Sequence, residues 1–457
     1  MGQVVAPRLP VAAARPGTVA AALSPLPEVG ERTVAWFRGA IAGADAELVA
    51  RTIRAGIEAG VPIVGVVERM GLDAMGGLAA LTAWGMIARE LAQASGVVPT
   101  ALVVDGPCLG GPAIAVGLAD VVVMTERAAV YVNTADASAR MTGTNGVDPE
   151  RLGDAWSHQN HSGVADLVAA DVAEALALVG DVFSFLPANS LDPPPATTPL
   201  DPPDRRSDRA ATAVPANERE SYDVREVIAD VVDDHWFVEL RARFGASIVV
   251  GFGRIAGLPV GIVANQPSQL AGALDIESSL KGARFVRWCD SFNVPLLTFV
   301  DTPGFRPGRD QEWRGIVRHG AKLAFAYAEA TVPRVCVVLR KAYGGAYIVM
   351  DCKSMGNDCA LAWPQAEIAV MGAKGAVEII HRRALLKAED GDRDALRERL
   401  EGEYTAEHLS PRIAAERGFV DEVIEPAATR LAVAEALLAL TTKRERPVRR
   451  RHDNLPL

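Results

Sequence analysis

Two glycine pairs in this chain carry the residue types and spacing for chemistry: Gly110-Gly111 and Gly344-Gly345. Each follows a short run of strand-forming residues and precedes a run of small and apolar ones. A glycine pair at such a junction lets the backbone turn without a Cβ, approach a ligand closely and point free amide groups outward. Those amides, with the positive end of the helix behind them, can hold an oxyanion. One such pair alone is as readily a packing device. Two in the same setting favour function: Val98-Pro99 precedes one strand and Val332-Pro333 the other.

Other chemistries lack their residues. Neither glycine run is a GxxxxGK[ST] phosphate loop, and no GxSxG nucleophile elbow occurs. The seven histidines, His158, His161, His235, His319, His381, His408 and His452, show no HExxH spacing, so no metal site is expected. A base-poor site with two oxyanion cradles suits reactions in which the substrates bring their own reactivity, such as enolate formation from a thioester. One well-placed cradle donor is worth about 2.7 to 4 kcal/mol of transition-state stabilisation, so such geometry can carry much of a rate.

The elements that must position these turns can be read around them. In the first half, residues 47–59 read as a helix with Leu48, Ile53 and Ile57 on one face, Val61 to Val67 as a buried strand and residues 78–95 as a second helix. Ala101 to Val104 then forms a strand that runs into Asp105, Gly106, Pro107, Cys108, Leu109, Gly110 and Gly111. The second half repeats this grammar: a strand over 295–300 ending at Asp301 to Gly304, a helix over 315–330, and a strand over 334–339 leading to Tyr343, Gly344, Gly345 and Ala346. Duplication of one α/β unit accounts for the repeat. Between the halves, residues 187–221 hold Pro193, Pro194, Pro195, Pro199, Pro202 and Pro203 among polar residues, which predicts a linker. The expected division is 1–186, linker 187–221, and 222–457.

With 457 residues the chain is long enough for two or three domains, and its 49% hydrophobic and 23% charged residues fit a soluble globular protein. A net charge of -10 argues against a general nucleic-acid binder. One basic cluster, Lys443, Arg444, Arg446, Arg449, Arg450 and Arg451, reads as a solvated tail or a subunit contact. Cys108, Cys289, Cys336, Cys352 and Cys359 form no CxxC pair, which predicts free thiols in a reducing compartment and no structural zinc. The Ala- and Pro-rich N-terminus lacks an apolar h-region, and no run approaches about 18 uninterrupted apolar residues. A cytoplasmic protein, without membrane or nucleic acid as partner, is the expectation.

At this point the residues resemble a known family. The runs Gly261 to Asp275, Lys281 to Arg287, Phe299-Val-Asp-Thr-Pro-Gly-Phe305, Gly320-Ala-Lys-Leu323 and Arg340-Lys-Ala-Tyr-Gly-Gly-Ala-Tyr347 look like the C-terminal half of acyl-CoA carboxylase carboxyltransferase (beta) subunits of the propionyl-CoA and acetyl-CoA type. Trp363-Pro364, the run Met371 to Val377 and the ending His452 to Leu457 extend the match over nearly all of 222–457. The resemblance implies two crotonase-like (ClpP/crotonase-type) ββα-superhelix domains, with the first half on the acyl-CoA side and the second on the biotin side. It implies that Gly345 and Ala346 offer amides to the biotin ureido oxygen, with Gly344 and Tyr347 also binding biotin, and that Gly110 and Gly111 do the same for the acyl-CoA enolate. Ile348 falls where acyl-chain preference is set, and an aliphatic residue there favours acetyl-CoA or a broad range; a core-packing isoleucine is the other reading.

The same resemblance implies biotin carried on a partner with biotin carboxylase and carrier domains, acyl-CoA as substrate, no metal in this subunit, and a site formed between two protomers of a hexamer, homomeric or shared with a sister carboxyltransferase subunit. The first half matches through Arg32 to Phe37, Val61 to Gly65, Val97 to Met124 and His158 to Val164, and it departs in three places. Where the family has Ser-Gly-Gly-Ala-Arg this chain has Arg69-Met-Gly-Leu-Asp73, which is hostile to an anionic CoA; the loop around Gly39 to Gly43 is short; and the family's Gly-Pro is missing near Asn133 to Asp136. Alternatives to a working carboxyltransferase are therefore a biotin-independent decarboxylase or an unusual carboxyltransferase of a biosynthetic pathway, and a non-catalytic paralogue completing a hetero-oligomeric carboxylase.

Overall fold

The computed structural model describes residues 19–71, 77–133, 135–142, 151–202, 204–217, 220–445 and 452–456. The chain divides into two compact units. One takes the chain up to Pro195 together with Leu240–Phe244 and Ser291–Asn293; the other takes Ala196–Glu239, Gly245–Asp290 and Val294–Leu457.

In the first unit an antiparallel hairpin, Ala20–Leu26 against Gly30–Ile41, opens an otherwise parallel sheet that continues through Ile63–Met70, Thr100–Val104, Val121–Thr125 and Leu167–Ala169. Every residue of Thr100–Val104 and Val121–Thr125 is buried, as a parallel strand covered on both faces requires. The helix Ala46–Ala59 lays Val49, Ile53 and Gly56 against the sheet and stops at Gly60, whose φ of 64° is the left-handed cap that glycine adopts without strain. The helix Gly77–Ala94 buries Trp84, Ile87 and Leu91 in the same core.

The second unit repeats the plan. Ile248–Ile255 pairs antiparallel with Leu258–Asn265, and parallel strands Leu296–Thr302, Arg334–Tyr343, Cys359–Ala362 and Glu422–Val423 extend the sheet. Helices Ile276–Ser291 and Ile316–Glu329 supply the parallel crossovers. Within the segment expected as a linker, Asp208–Ala213 forms a helix, and Ala210 and Val214 are buried in the second core.

All five cysteines are free. Among the described residues no helix is long and apolar enough to cross a membrane. Of the C-terminal basic cluster, Lys443 reaches the Asp358 carboxylate at 2.9 Å and the Val332 carbonyl at 3.1 Å, so it is held and not solvated; Arg446, Arg449, Arg450 and Arg451 lie outside the described residues.

Candidate functional site

The strand Arg334–Tyr343 delivers the chain into its glycine turn. Gly344 has φ +58°, and a Cβ there would stand 3.0 Å from the Val370 carbonyl oxygen, so both conformation and space call for glycine. The short helix Gly344–Val349 starts at once, placing Gly345 and Ala346 in a first turn whose amides have no intrahelical carbonyl to meet. Ala346 is fully buried, whereas a Cβ on Gly345 would meet, among the described residues, the Phe305 ring alone within 4 Å. A cleft of about 540 Å³ opens here, lined by Gly344, Gly345, Tyr347, Ile348, Ile368 and Phe419 among others. Ile348 is 48% exposed on its wall, which sets aside the core-packing reading. Burial pushes the Tyr347 hydroxyl far above its ordinary range, so it stays a neutral phenol.

Two buried ionic networks stand behind this turn, and neither is visible in sequence spacing. In the first, Asp301 accepts hydrogen bonds from Arg340 Nε at 3.0 Å, from the Tyr222 hydroxyl at 2.9 Å and from the Lys341 amide at 3.1 Å. Arg340 also donates to the carbonyls of Asn217 and Glu220, and its guanidinium lies 5.1 Å over the Tyr222 ring. The arrangement ties the ends of two neighbouring strands together just before the glycine turn. Asp301 and Arg340 belong to the motifs quoted above, and a charged residue inside an otherwise apolar strand was the available signal; Tyr222 gave none.

In the second network Asp351 accepts from Arg334 at 2.6 Å and from Asn357 at 2.9 Å, immediately after the helix that bears the cradle. Burial outweighs these partners and raises the Asp351 carboxyl from 3.8 to about 6. Because the folded state holds this proton more tightly than the unfolded chain, stability falls as pH rises between these two values. Asp301, raised by burial against Arg340, acts in the same direction. Urea midpoints measured across that pH window should therefore decline towards neutrality in the wild type and decline less in Asp351→Asn. Identical slopes for the two proteins would refute the assignment.

The first-half turn is built differently. Strand Pro107–Leu109 pairs in parallel with Ala129–Tyr131 and touches Met70 through Cys108. Gly110, at φ +78°, donates its amide to the Tyr131 carbonyl at 3.0 Å. The expectation that both glycines of this pair offer amides is thereby corrected: the Gly110 donor completes the strand pairing and is occupied. In the helix Gly111–Val116 the second residue is Pro112, which has no amide hydrogen, so Gly111 is the donor left at this end. Among the described residues no heavy atom outside its own helix and chain neighbours lies within 4 Å of where a Gly111 Cβ would be.

The neighbouring Cys108 is buried, its thiol pushed up to about 12, which removes it as a nucleophile. His158 lies 2.6 Å from the Val130 carbonyl and 2.5 Å from the Ser162 hydroxyl, and burial lowers its pKa, so it is a neutral brace for the strand that receives Gly110. A charged cleft of about 690 Å³ in the same unit, lined by Arg38, Glu68, Asp105, Pro107, Arg127 and Asp171 among others, includes neither Gly110 nor Gly111. Of the three departures in this half, Arg69, Met70 and Gly71 are described, with Met70 buried at a strand end, while Leu72, Asp73 and Thr134 lie outside the described residues. Among the described residues no group of three or more His, Cys, Asp or Glu could hold a metal ion.

Comparison with known proteins accords with this geometry. A family model described as carboxyl transferase domain matches residues 29–455. The propionyl-CoA carboxylase carboxyltransferase subunit of Haloferax mediterranei is 44% identical over 92% of this chain and 81% of its own. The methylmalonyl-CoA decarboxylase subunit alpha of Veillonella parvula is 40% identical over 92% of this chain and 80% of its own. Among solved structures, transcarboxylase 12S, a hexamer with methylmalonyl-coenzyme A and methylmalonic acid bound, superposes with a TM-score of 0.92 at 37% identity, covering 96% of this chain and 85% of that one. The paired α/β sheets are thus the expected crotonase-like fold. With its family model matched over nearly the whole length and relatives of this similarity, the chain belongs to the carboxyl transferase domain family.

Proposed function

We propose that the chain is the carboxyltransferase subunit of an acyl-CoA carboxylase, moving a carboxyl group from carboxybiotin on a partner's carrier domain to the α carbon of a short acyl-CoA. The observation that carries this reading is the second-half turn, where amides of Gly345 and Ala346 begin a helix beside a cleft of about 540 Å³. That volume lies in the range of small-molecule sites, and Ile348, Ile368 and Phe419 suit the hydrocarbon faces of a bicyclic ring.

Carboxybiotin supplies an activated carboxyl group and, after giving it up, a basic nitrogen that can take the acyl α proton. Gly345 and Ala346 hold the charge that develops on the ureido oxygen as the carboxyl departs, with Gly344 and Tyr347 shaping the pocket. Gly111 holds the enolate oxygen as the α carbon loses its proton and bonds to the carboxyl carbon; Gly110 shapes that turn through its bond to Tyr131. The first domain, 1–186, thus serves the acyl thioester and the second, 222–457, serves biotin. Ile348 on the cleft wall excludes little and suits acetyl-CoA or a broad short-chain range. A hexamer, homomeric or completed by a sister subunit, is the assembly this reading carries over from transcarboxylase 12S.

The test incubates the protein with carboxylated biotin carrier and acetyl-CoA, propionyl-CoA or butyryl-CoA, and measures acid-stable carboxylated product. Product with at least one of them is expected, and none with any would sink the proposal. Decarboxylation also passes through an enolate, and the relative from Veillonella parvula bears that name. Loss of carbon dioxide from methylmalonyl-CoA without biotin would favour that second reading.

A further inference from the structure

One wall of the cleft beside the second-half turn is formed by Ile368, Ala369 and Val370, and the first two belong to a strand of three residues, Glu367–Ala369. Among the described residues this strand pairs with Arg334–Tyr343 alone, in parallel, with Lys341 opposite Glu367, Ala342 opposite Ile368 and Tyr343 opposite Ala369. Three residues are the lower limit of a strand, and so short a pairing gains little from its backbone bonds. Side-chain contacts from the last residue before the cradle add to it. The buried Tyr343 donates its hydroxyl to the half-buried Glu367 carboxylate, and its ring lies against Gly372, where a Cβ would stand 3.1 Å from it. The Val370 carbonyl closes on Gly344 from the same segment.

Residues in register share a face of the sheet, so Tyr343 and Glu367, two positions out of register, lie on one face and meet diagonally. Their bond therefore crosses from the strand that carries the cradle to the strand that carries the wall. The cradle has other supports: the Asp301–Arg340 network upstream and the helix Gly344–Val349 itself. Loss of the Tyr343 hydroxyl should thus loosen the wall and leave the amides of Gly345 and Ala346 in place. A ring seated against Ile368 touches that wall before and during reaction alike, so the wall governs uniform binding, which is read in KM, and the cradle governs kcat.

We propose that Tyr343 and Glu367 are positioning residues that set the distance between the cleft wall, Ile368 to Val370, and the cradle amides, and thereby the fit of the carrier-borne biotin ring. This rests on the biotin-side reading of the cleft. Neither residue is among those lining it, so both act through the wall.

The test uses Tyr343→Phe, which deletes the hydroxyl and keeps the ring on Gly372, and Glu367→Gln, which keeps an acceptor for that hydroxyl. Steady-state kinetics with carboxylated biotin carrier and hydrogen–deuterium exchange of the full chain read both variants. Tyr343→Phe should raise KM for the carrier about tenfold, with kcat within about twofold of the wild type. It should also speed exchange at residues 367–372 and leave residues 334–340 unchanged. Glu367→Gln should follow the wild type in every readout. Unchanged exchange in Tyr343→Phe, or faster exchange with wild-type KM, overturns the proposal. A fall in kcat at unchanged KM would place Tyr343 in the support of the cradle and also overturn it. Because exchange needs no turnover, a chain whose 367–372 amides respond as expected yet makes no carboxylated product keeps the Tyr343–Glu367 positioning pair and loses the carboxyl-transfer reading.

Discussion

Gly345→Ala should fold as the wild type does and lose about 10²-fold in kcat, the loss typical of disabling one oxyanion donor. The variant separates folding from chemistry because the position tolerates a methyl group structurally. The nearest atoms to its Cβ would be those of Phe305, at 3.7 and 4.0 Å, which is ordinary contact, and its backbone is not in the left-handed region. Alanine is also the better helix former, by about 0.5 to 1 kcal/mol, so the melting temperature should hold or rise. The methyl group nevertheless projects into the cleft beside the amides of Gly345 and Ala346, where the ureido oxygen would have to sit.

Gly344→Ala is the instructive contrast. It meets a φ of +58° and the Val370 carbonyl at 3.0 Å, so any loss of activity there is mixed with strain. Steady-state kinetics with carboxylated carrier, paired with a thermal melt, decides the matter. A Gly345→Ala protein with wild-type kcat would remove this turn from the reaction.

The glycine turns were legible because their grammar is local. A strand of apolar residues, a glycine pair and a small-residue helix lie close together in the chain, and the structure forms them as Thr100–Val104 to Val116 and Arg334–Tyr343 to Val349. What the amides do once formed was not legible. The Gly110 amide is occupied because Pro107–Leu109 finds Ala129–Tyr131 some twenty residues away, a pairing of two three-residue strands too short to show a period. The helix Asp208–Ala213 escaped notice for a related reason: prolines on its N-terminal side dominate the local composition, while its anchor, Ala210, is too small to produce an amphipathic signal.

Buried charge is the other class of feature that spacing does not announce. Tyr222, Asp301 and Arg340 are brought together from positions 79 and 39 residues apart, and the contact between Asp301 and Arg340 follows from strand order. Once the parallel order places Leu296–Thr302 beside Arg334–Tyr343, Asp301 and Arg340 reach the same sheet edge, and Asn217 and Glu220 supply carbonyls to cap the guanidinium. The physical consequence is a stiff support on the strand that runs into Gly344, four residues before that glycine, tied together by hydrogen bonds to an ionised pair, which are among the stronger ones.

Breaking that support gives the larger stability effect. Arg340→Leu should destabilise the protein by about 3 to 5 kcal/mol, because removing one partner leaves a carboxylate buried without its counter-charge and two carbonyls without a donor. Tyr222→Phe removes one hydrogen bond to the same carboxylate and should cost about 1 to 2 kcal/mol. The pH dependence separates this cause from a simple packing defect. Burial already raises the Asp301 carboxyl against the pull of Arg340. Without the guanidinium its folded pKa rises further above the unfolded value, so the folded variant takes up a proton more readily than the wild type does. The deficit of Arg340→Leu is then largest at neutral and higher pH and shrinks as the solution is acidified and Asp301 becomes neutral. Denaturation by urea at neutral and at mildly acidic pH measures both quantities. A pH-independent deficit would point to lost packing around the arginine stem, and a variant as stable as the wild type would show that the network behind the turn holds nothing in place.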